Sequence, residues 1–336
     1  MFRTHYKMVR IHTYIIHYSL METRKPRIET LIQSLKKTKN LDITFEYVTQ
    51  FDPTTIKPED IQKVNLNKQN TNDLFDQLIQ NMHGNQISNS LKHGHAIESA
   101  AANAQNADYY LILEDDVLNG DDVGDSLVKL TSQMEKDGVA DDLFFLGMPS
   151  IKPIDKPGSY ESVFNSYKIF PCCDSYLAKP STFKKMAAVY YPIRYTANIQ
   201  LTHVTVNLLK DSIKVNMTTP NLFLDGSKYG VYLSSVDPNN KLLFNPDFNT
   251  LVQGVLAKTT TKAEAERLFE NAKFKNHPDV MHLHSIFLIG QKEYDQAQKE
   301  LAGVYDIMKQ NGCIMNSSTE FLKTYMRTFR YTQTVA

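Results

Sequence analysis

What this chain lacks first is net charge: 37 basic residues balance 37 acidic ones over 336 residues, for a formal charge of zero. No global basic field is left to recruit nucleic acid or anionic lipid, so a nucleic-acid binder is disfavoured. Cysteine is scarce as well. Only Cys172, Cys173 and Cys313 occur, and an adjacent pair with one distant thiol offers neither a metal spacing nor a disulfide framework. That usage predicts a reducing compartment. Long apolar runs are also missing: Tyr14 to Ile16 is apolar, but His12 and His17 flank it and it is far too short to span a bilayer. No signal peptide or membrane anchor is recognisable. The expected location is the cytoplasm, or the host cytoplasm for a viral chain, where the sequons at Asn216 and Asn316 carry no meaning.

What is present is an ordinary globular composition, 42% hydrophobic and 22% charged. The length suits one large domain with a small appendage, and we place the boundary at residues 1–250 and 251–336. Val9 to Ser19 is β-branched and aromatic. It leads to Ile28, Leu31, Ile32 and Leu35 at helical spacing, then to Ile43, Phe45 and Tyr47 in alternation, closed by the Asp52-Pro53 turn. That β-α-β order predicts a parallel pair opening an α/β sheet, which binds nucleotides at the carboxyl ends of its strands. A polar loop from Thr54 and a short helix at Leu74, Leu78 and Ile79 follow. Ile87 to Ala104 predicts a helix capped by Ser88 or Asn89.

Tyr109 to Leu113 predicts a buried strand that ends in Glu114, Asp115 and Asp116. Asp121 to Lys136 is a further helix and Leu143 to Leu146 a further strand. Next come a strand feeding a helix capped by Ser181, and a strand before the loop at Gly226. From Thr259 the pattern is helical only, through "TKAEAERLFENAKF", "PDVMHLHSIFLIGQ", "EYDQAQKELAGVYDIMKQNG" and "STEFLKTYMRTF". Ala265 and Ala297 take matching places at a separation near the tetratricopeptide period of about 34 residues. This helical segment is a candidate surface for a protein partner or a second copy of the chain.

Carboxylates clustered at a strand end suit a hard divalent cation such as Mg²⁺ or Mn²⁺, which prefers oxygen ligands held rigidly. Glu114 and Asp116 have the spacing of a D-x-D motif. Such a metal bridges the phosphates of a nucleotide sugar and makes the diphosphate a leaving group. An acid triplet after a strand also serves simply to cap a helix or to meet solvent. Asp52, closing the second strand, stands where uracil or ribose contacts are usual. His93 and His95 are two apart on a helix and point to different faces, so at most one lines a site; Ser90 with Lys92 or His93 is expected on nucleotide or phosphate. Ser227 and Lys228 either close over a diphosphate, with backbone N–H groups and an ammonium, or sit in an ordinary turn.

The string "HAIESAAANAQNADYYLILEDDV" resembles glycosyltransferase family 25, the bacterial lipooligosaccharide galactosyltransferases and collagen hydroxylysine glycosyltransferases. "IIHYSLMETRKPRIETL" resembles that family's opening strand and Arg-containing loop, with Arg24 and Arg27 where arginines are expected. "SNSLKHGHAIE" resembles its Ser/His helix, and "CCDSYLAKPSTFKKM" the strand and helix under the acceptor site. The resemblance covers roughly residues 9 to 235. It implies a GT-A fold, that is, a Rossmann-like open mixed sheet flanked by helices. It also implies a UDP-sugar donor with galactose or glucose, Mn²⁺ or Mg²⁺ as cofactor, inversion at the anomeric carbon, and a glycan or protein acceptor. Asp225 sits where relatives place a further metal ligand, joining Glu114 and Asp116.

Inversion needs a base for the acceptor hydroxyl. Where family members carry an Asp, this chain has Asn198, and an amide cannot act as a base. Asp174 is the substitute candidate, with Asp115 or His203 as further choices. A catalytically impaired GT-A scaffold that binds partners through its C-terminal helices is the rival reading, and Asn198 leans toward it. A metal-dependent nucleotidyltransferase or phosphohydrolase is a third, which leaves the Ser/His helix unexplained.

Overall fold

The computed structural model describes residues 7–65, 82, 84–120, 122–147, 159–162, 170, 172–219, 221–227, 251, 254, 261–270, 272, 275–276 and 278–310. The expected helix at Leu74 to Ile79, the last C-terminal helical segment and Lys228 lie outside them. The chain divides into two compact units, Met1–Asp225 and Gly226–Ala336.

Unit one opens with β1 (Val9–Ile16), α1 (Lys25–Lys36) and β2 (Leu41–Val48). Pro26 opens α1, where a missing N–H costs nothing, and Ile28, Leu31, Ile32 and Leu35 form its buried stripe. β2 runs parallel to β1 from Val9↔Leu41 to Ile16↔Val48, so the β-α-β unit read from the sequence is the one observed. The helix α2 (Pro58–Ile61) is short; α3 (Gly84–Ala102) is long and leads to β3 (Tyr109–Glu114). β4 (Val117–Asn119), α4 (Val123–Lys136), β5 (Leu143–Phe145) and β6 (Ser159–Ser162) follow. β7 (Ser175–Ala178), α5 (Pro180–Ala187), α6 (Ala197–Thr202), β8 (Val215–Thr219) and β9 (Phe223–Asp225) complete the unit.

Among the described residues the main sheet has seven strands in the order β2-β1-β3-β7-β5-β8-β6, and β4 pairs with β9 in a separate ribbon. β1, β2 and β3 are mutually parallel, and β7 is antiparallel to both β3 and β5. The carboxyl ends of β1, β2 and β3 and the amino end of β7 therefore meet at one edge. Alternation along β3 feeds two cores. Tyr110 and Ile112 join Leu91, Ile97, Tyr176 and Phe183 on one face, while Tyr109, Leu111 and Leu113 join Ile28, Leu31, Leu127 and Leu130 on the other. Helices thus cover both faces of an open mixed sheet, the Rossmann-like α/β layering expected from the sequence.

Two caps are corrected. Neither Ser88 nor Asn89 caps α3, because the helix begins at Gly84 and both lie within its first two turns. Ser181 does not cap α5 either: Pro180 opens that helix after Lys179, and the Ser181 hydroxyl donates to the Ala140 carbonyl.

Unit two contains α7 (Lys262–Glu270), α8 (Pro278–Gly290) and α9 (Tyr294–Gln310). Ala265, Ala297, Leu288 and Leu301 are fully buried, and α8 packs along α9. No helix among the described residues is long and apolar enough to cross a membrane.

Candidate active site

β3 is rigid up to its last residue, since Tyr109 to Leu113 are at most 1% exposed. After Glu114 the chain turns through Asp115 and Asp116 into β4, which pairs with β9 so that Val117 faces Asp225. The three-residue ribbon thereby carries Asp225 to the end of β3, beside Asp116. Both residues are only 6% exposed. Burial holds the Asp116 carboxyl well above the usual carboxylate range. Arg24 opposes that shift, with Nη1 at 3.9 Å, while the charges of Asp225, Glu114 and Asp115 add to it. Four acids thus converge at one edge, and a divalent cation would relieve their repulsion. The donors are oxygens on rigid strand ends, which fits Mn²⁺ or Mg²⁺.

Asp115 points elsewhere. It accepts a hydrogen bond from His17 Nδ1 at 2.6 Å and another from Arg24 Nη1, whose guanidinium is itself buried. Burial raises the Asp115 carboxyl, but the Arg24 charge and the His17 and Arg24 hydrogen bonds outweigh it and hold the group below its ordinary value. A second buried pair lies beside this one: Lys92 on α3 donates to Asp52 and, at 2.5 Å, to the His17 carbonyl. The Ser19 amide donates to the other Asp52 oxygen at 3.2 Å. Burial pulls the Lys92 ammonium below its ordinary pKa, and Asp52 restrains the fall. His17 Nε2 and the Tyr47 hydroxyl, on rings 5.4 Å apart, are buried without a hydrogen-bond partner among the described residues.

Glu114 turns toward α3. Its Oε1 accepts Asn89 Nδ2 at 3.0 Å and lies 3.1 Å from His93 Nε2 and 3.7 Å from Cys173 Sγ. Asp174 is its neighbour across the sheet, its carbonyl accepting the Glu114 amide at 2.7 Å. The Asp174 side chain is 1% exposed and takes a hydrogen bond from the Ser175 hydroxyl, packed where a side chain on Gly147 would collide with it.

Of the residues singled out from the sequence, the structure brings Arg24, Asp52, Lys92, His93, Glu114, Asp115, Asp116, Asp174 and Asp225 to this edge. Ser90 is turned away, its hydroxyl donating to the Tyr195 carbonyl at 3.2 Å. Arg27 is exposed on α1. Ser227 is buried two residues beyond Asp225. His203 packs edge-on to Tyr195, and Asn198 bonds the Phe170 carbonyl at 2.9 Å and the Thr196 hydroxyl at 3.0 Å.

Sequence reasoning passed over His17, Tyr47, Asn89 and Cys173. His17 and Asn89 carried a usable signal, a polar side chain just past a strand and another inside a buried helix face. Cys173 carried none, because its partners come from distant elements.

No protein-family model and no curated protein matches this sequence. Among solved structures the chain is similar to S. aureus TarS residues 1–349, at a TM-score of 0.34 and 10% identity over 97% of this chain and 92% of that one. The same protein in complex with UDP-GlcNAc gives 0.32 at 11% identity with the same coverage. A likeness this slight assigns neither an activity nor a site residue.

Proposed function

We propose that this chain is a nucleotide-sugar-dependent glycosyltransferase of the family 25 type, moving galactose or glucose from a UDP-sugar to a hydroxyl of a glycan or protein acceptor with inversion. The observation that carries the reading is the meeting of Asp116 and Asp225 at the end of a buried central strand, with Glu114 and the Arg24–Asp115 pair beside them. Asp116 and Asp225 are the side chains to hold Mn²⁺ or Mg²⁺, with Glu114 at their flank. Such an ion supplies charge for the departing diphosphate.

The chain's own groups do the rest. Asp115 fixes the Arg24 guanidinium near Asp116, where it complements phosphate. Asp52 and Lys92 order the ends of β1 and β2, and the His17 and Tyr47 atoms, unpartnered among the described residues, offer polar contacts to a nucleoside. The base is assigned to Asp174, because Asp115 is committed to Arg24 and His17 and holds its proton too weakly.

One observation favours a second reading. Asp174 is nearly sealed and Asn198 is spent on backbone and Thr196, as suits a scaffold that binds a sugar nucleotide without turning it over. Incubation with UDP-galactose and UDP-glucose in Mn²⁺ separates the two. A transferase releases UDP, and Asp174→Asn slows that release about 100-fold or more, as loss of a general base does, while leaving donor affinity in place. Donor binding without any UDP release establishes the scaffold; neither binding nor release defeats both readings.

A further inference from the structure

His93, Glu114 and Cys173 present a nitrogen, an oxygen and a sulfur that lie within 4.8 Å of one another. They come from α3, from the last residue of β3 and from the segment leading into β7, and two of them are almost wholly buried. The three edges are 3.1 Å from His93 Nε2 to Glu114 Oε1, 3.7 Å from Cys173 Sγ to His93 Nε2, and 3.7 Å from Cys173 Sγ to Glu114 Oε1. A tetrahedral zinc site with bonds of about 2.0 Å to oxygen and nitrogen and about 2.3 Å to sulfur has edges of about 3.3 Å and about 3.5 Å. All three observed separations lie close to that figure.

The surroundings agree. A zinc-bound imidazole hands its second nitrogen to a fixed partner, and His93 Nδ1 meets the Tyr176 hydroxyl at 2.9 Å while the rings stack. The ligating carboxylate is braced as well, by Asn89. Imidazole with thiolate is a soft set that favours zinc over the hard ions suited to Asp116 and Asp225.

We propose that His93, Glu114 and Cys173 form a zinc site, separate from the Asp116–Asp225 pair, that ties α3 and the lead-in to β7 onto the end of β3. Binding takes the Cys173 proton, which passes to solvent, and leaves the fourth tetrahedral position to water. The site goes beyond the glycosyltransferase reading and stands without it.

Cobalt titration of the full chain, stripped with chelator, is the test, since a cobalt–thiolate bond shows as a charge-transfer absorption band. One equivalent of Co²⁺ should raise that band, and one equivalent of Zn²⁺ should erase it. Cys173→Ser should abolish the band, Cys172→Ser and Asp116→Asn should keep it, and Tyr176→Phe should weaken zinc binding about 10–100-fold. A wild-type protein that takes up Co²⁺ without the band, or takes up none, overturns the proposal whatever the variants do. So does a band that survives Cys173→Ser.

Discussion

At the scale of single residues, the candidate site rests on buried charges whose partners are fixed. Lys92 and Asp52 are 2% and 5% exposed, so removing one partner strands the other in a low dielectric. Asp52→Asn should therefore cost about 3–5 kcal/mol of stability, whereas replacing both by apolar residues of similar size should recover most of it. Denaturant midpoints for the two single variants and the double variant measure the coupling directly. The acid triplet was legible in the sequence because a D-x-D spacing after an apolar run is local. The partition of its three acids was not. Arg24 and His17 claim Asp115, Asn89 and His93 claim Glu114, and β9 brings Asp225 to Asp116, all through contacts distant in sequence.

At the scale of elements, the helices and strands that carry a full period or an unbroken apolar run are readable, and the pairing of short strands is not. α1, α4 and β1 to β3 present the predicted stripes and alternations. β4 and its pairing with β9 are invisible in the sequence, because three residues carry no period and the two strands lie about 100 residues apart, whereas β5, equally short, shows as an unbroken apolar run. Ser88 and Asn89 resemble caps and suggest a later start for α3 than Gly84, whereas the Asn89 amide reaches Glu114. The same helix packs tightly elsewhere. A Cβ at Gly94 would collide with the Tyr191 hydroxyl and the Tyr190 ring. Alanine there gains about 1 kcal/mol in helix propensity and should lose about 1–3 kcal/mol to overpacking. A lower melting temperature for Gly94→Ala checks that balance; a rise contradicts it.

α4 is tied to the sheet by Glu135, which accepts the Tyr109 hydroxyl at 2.6 Å and meets Lys179 at 3.0 Å. The Tyr109 hydrogen bond first, then Lys179, holds its carboxyl below the ordinary 4.5. A depressed folded-state pKa stabilises above that ordinary value and is lost as pH falls through the folded one. Glu135→Gln should accordingly lower the denaturation midpoint at neutral pH, and the gap to wild type should close as the solution is acidified.

At the scale of the whole molecule, the edge where β1, β2, β3 and β7 meet is the centre of the account. Parallel strands deliver backbone ends and side chains there, the antiparallel β7 returns Cys173 and Asp174 to it, and the compact unit Met1–Asp225 ends at the residue proposed as the second ligand. Ala265 and Ala297 are fully buried in the C-terminal helices, and we propose that segment as the surface for a protein partner or a second copy. The central claim is that Asp116 and Asp225 hold a divalent ion that receives a nucleotide diphosphate. Calorimetric titration of UDP into the full chain, with Mn²⁺ and with chelator, tests it most directly. Binding that requires Mn²⁺ and disappears in a folded Asp116→Asn variant is the predicted result; equal affinity with and without the metal, unchanged by that substitution, would contradict it.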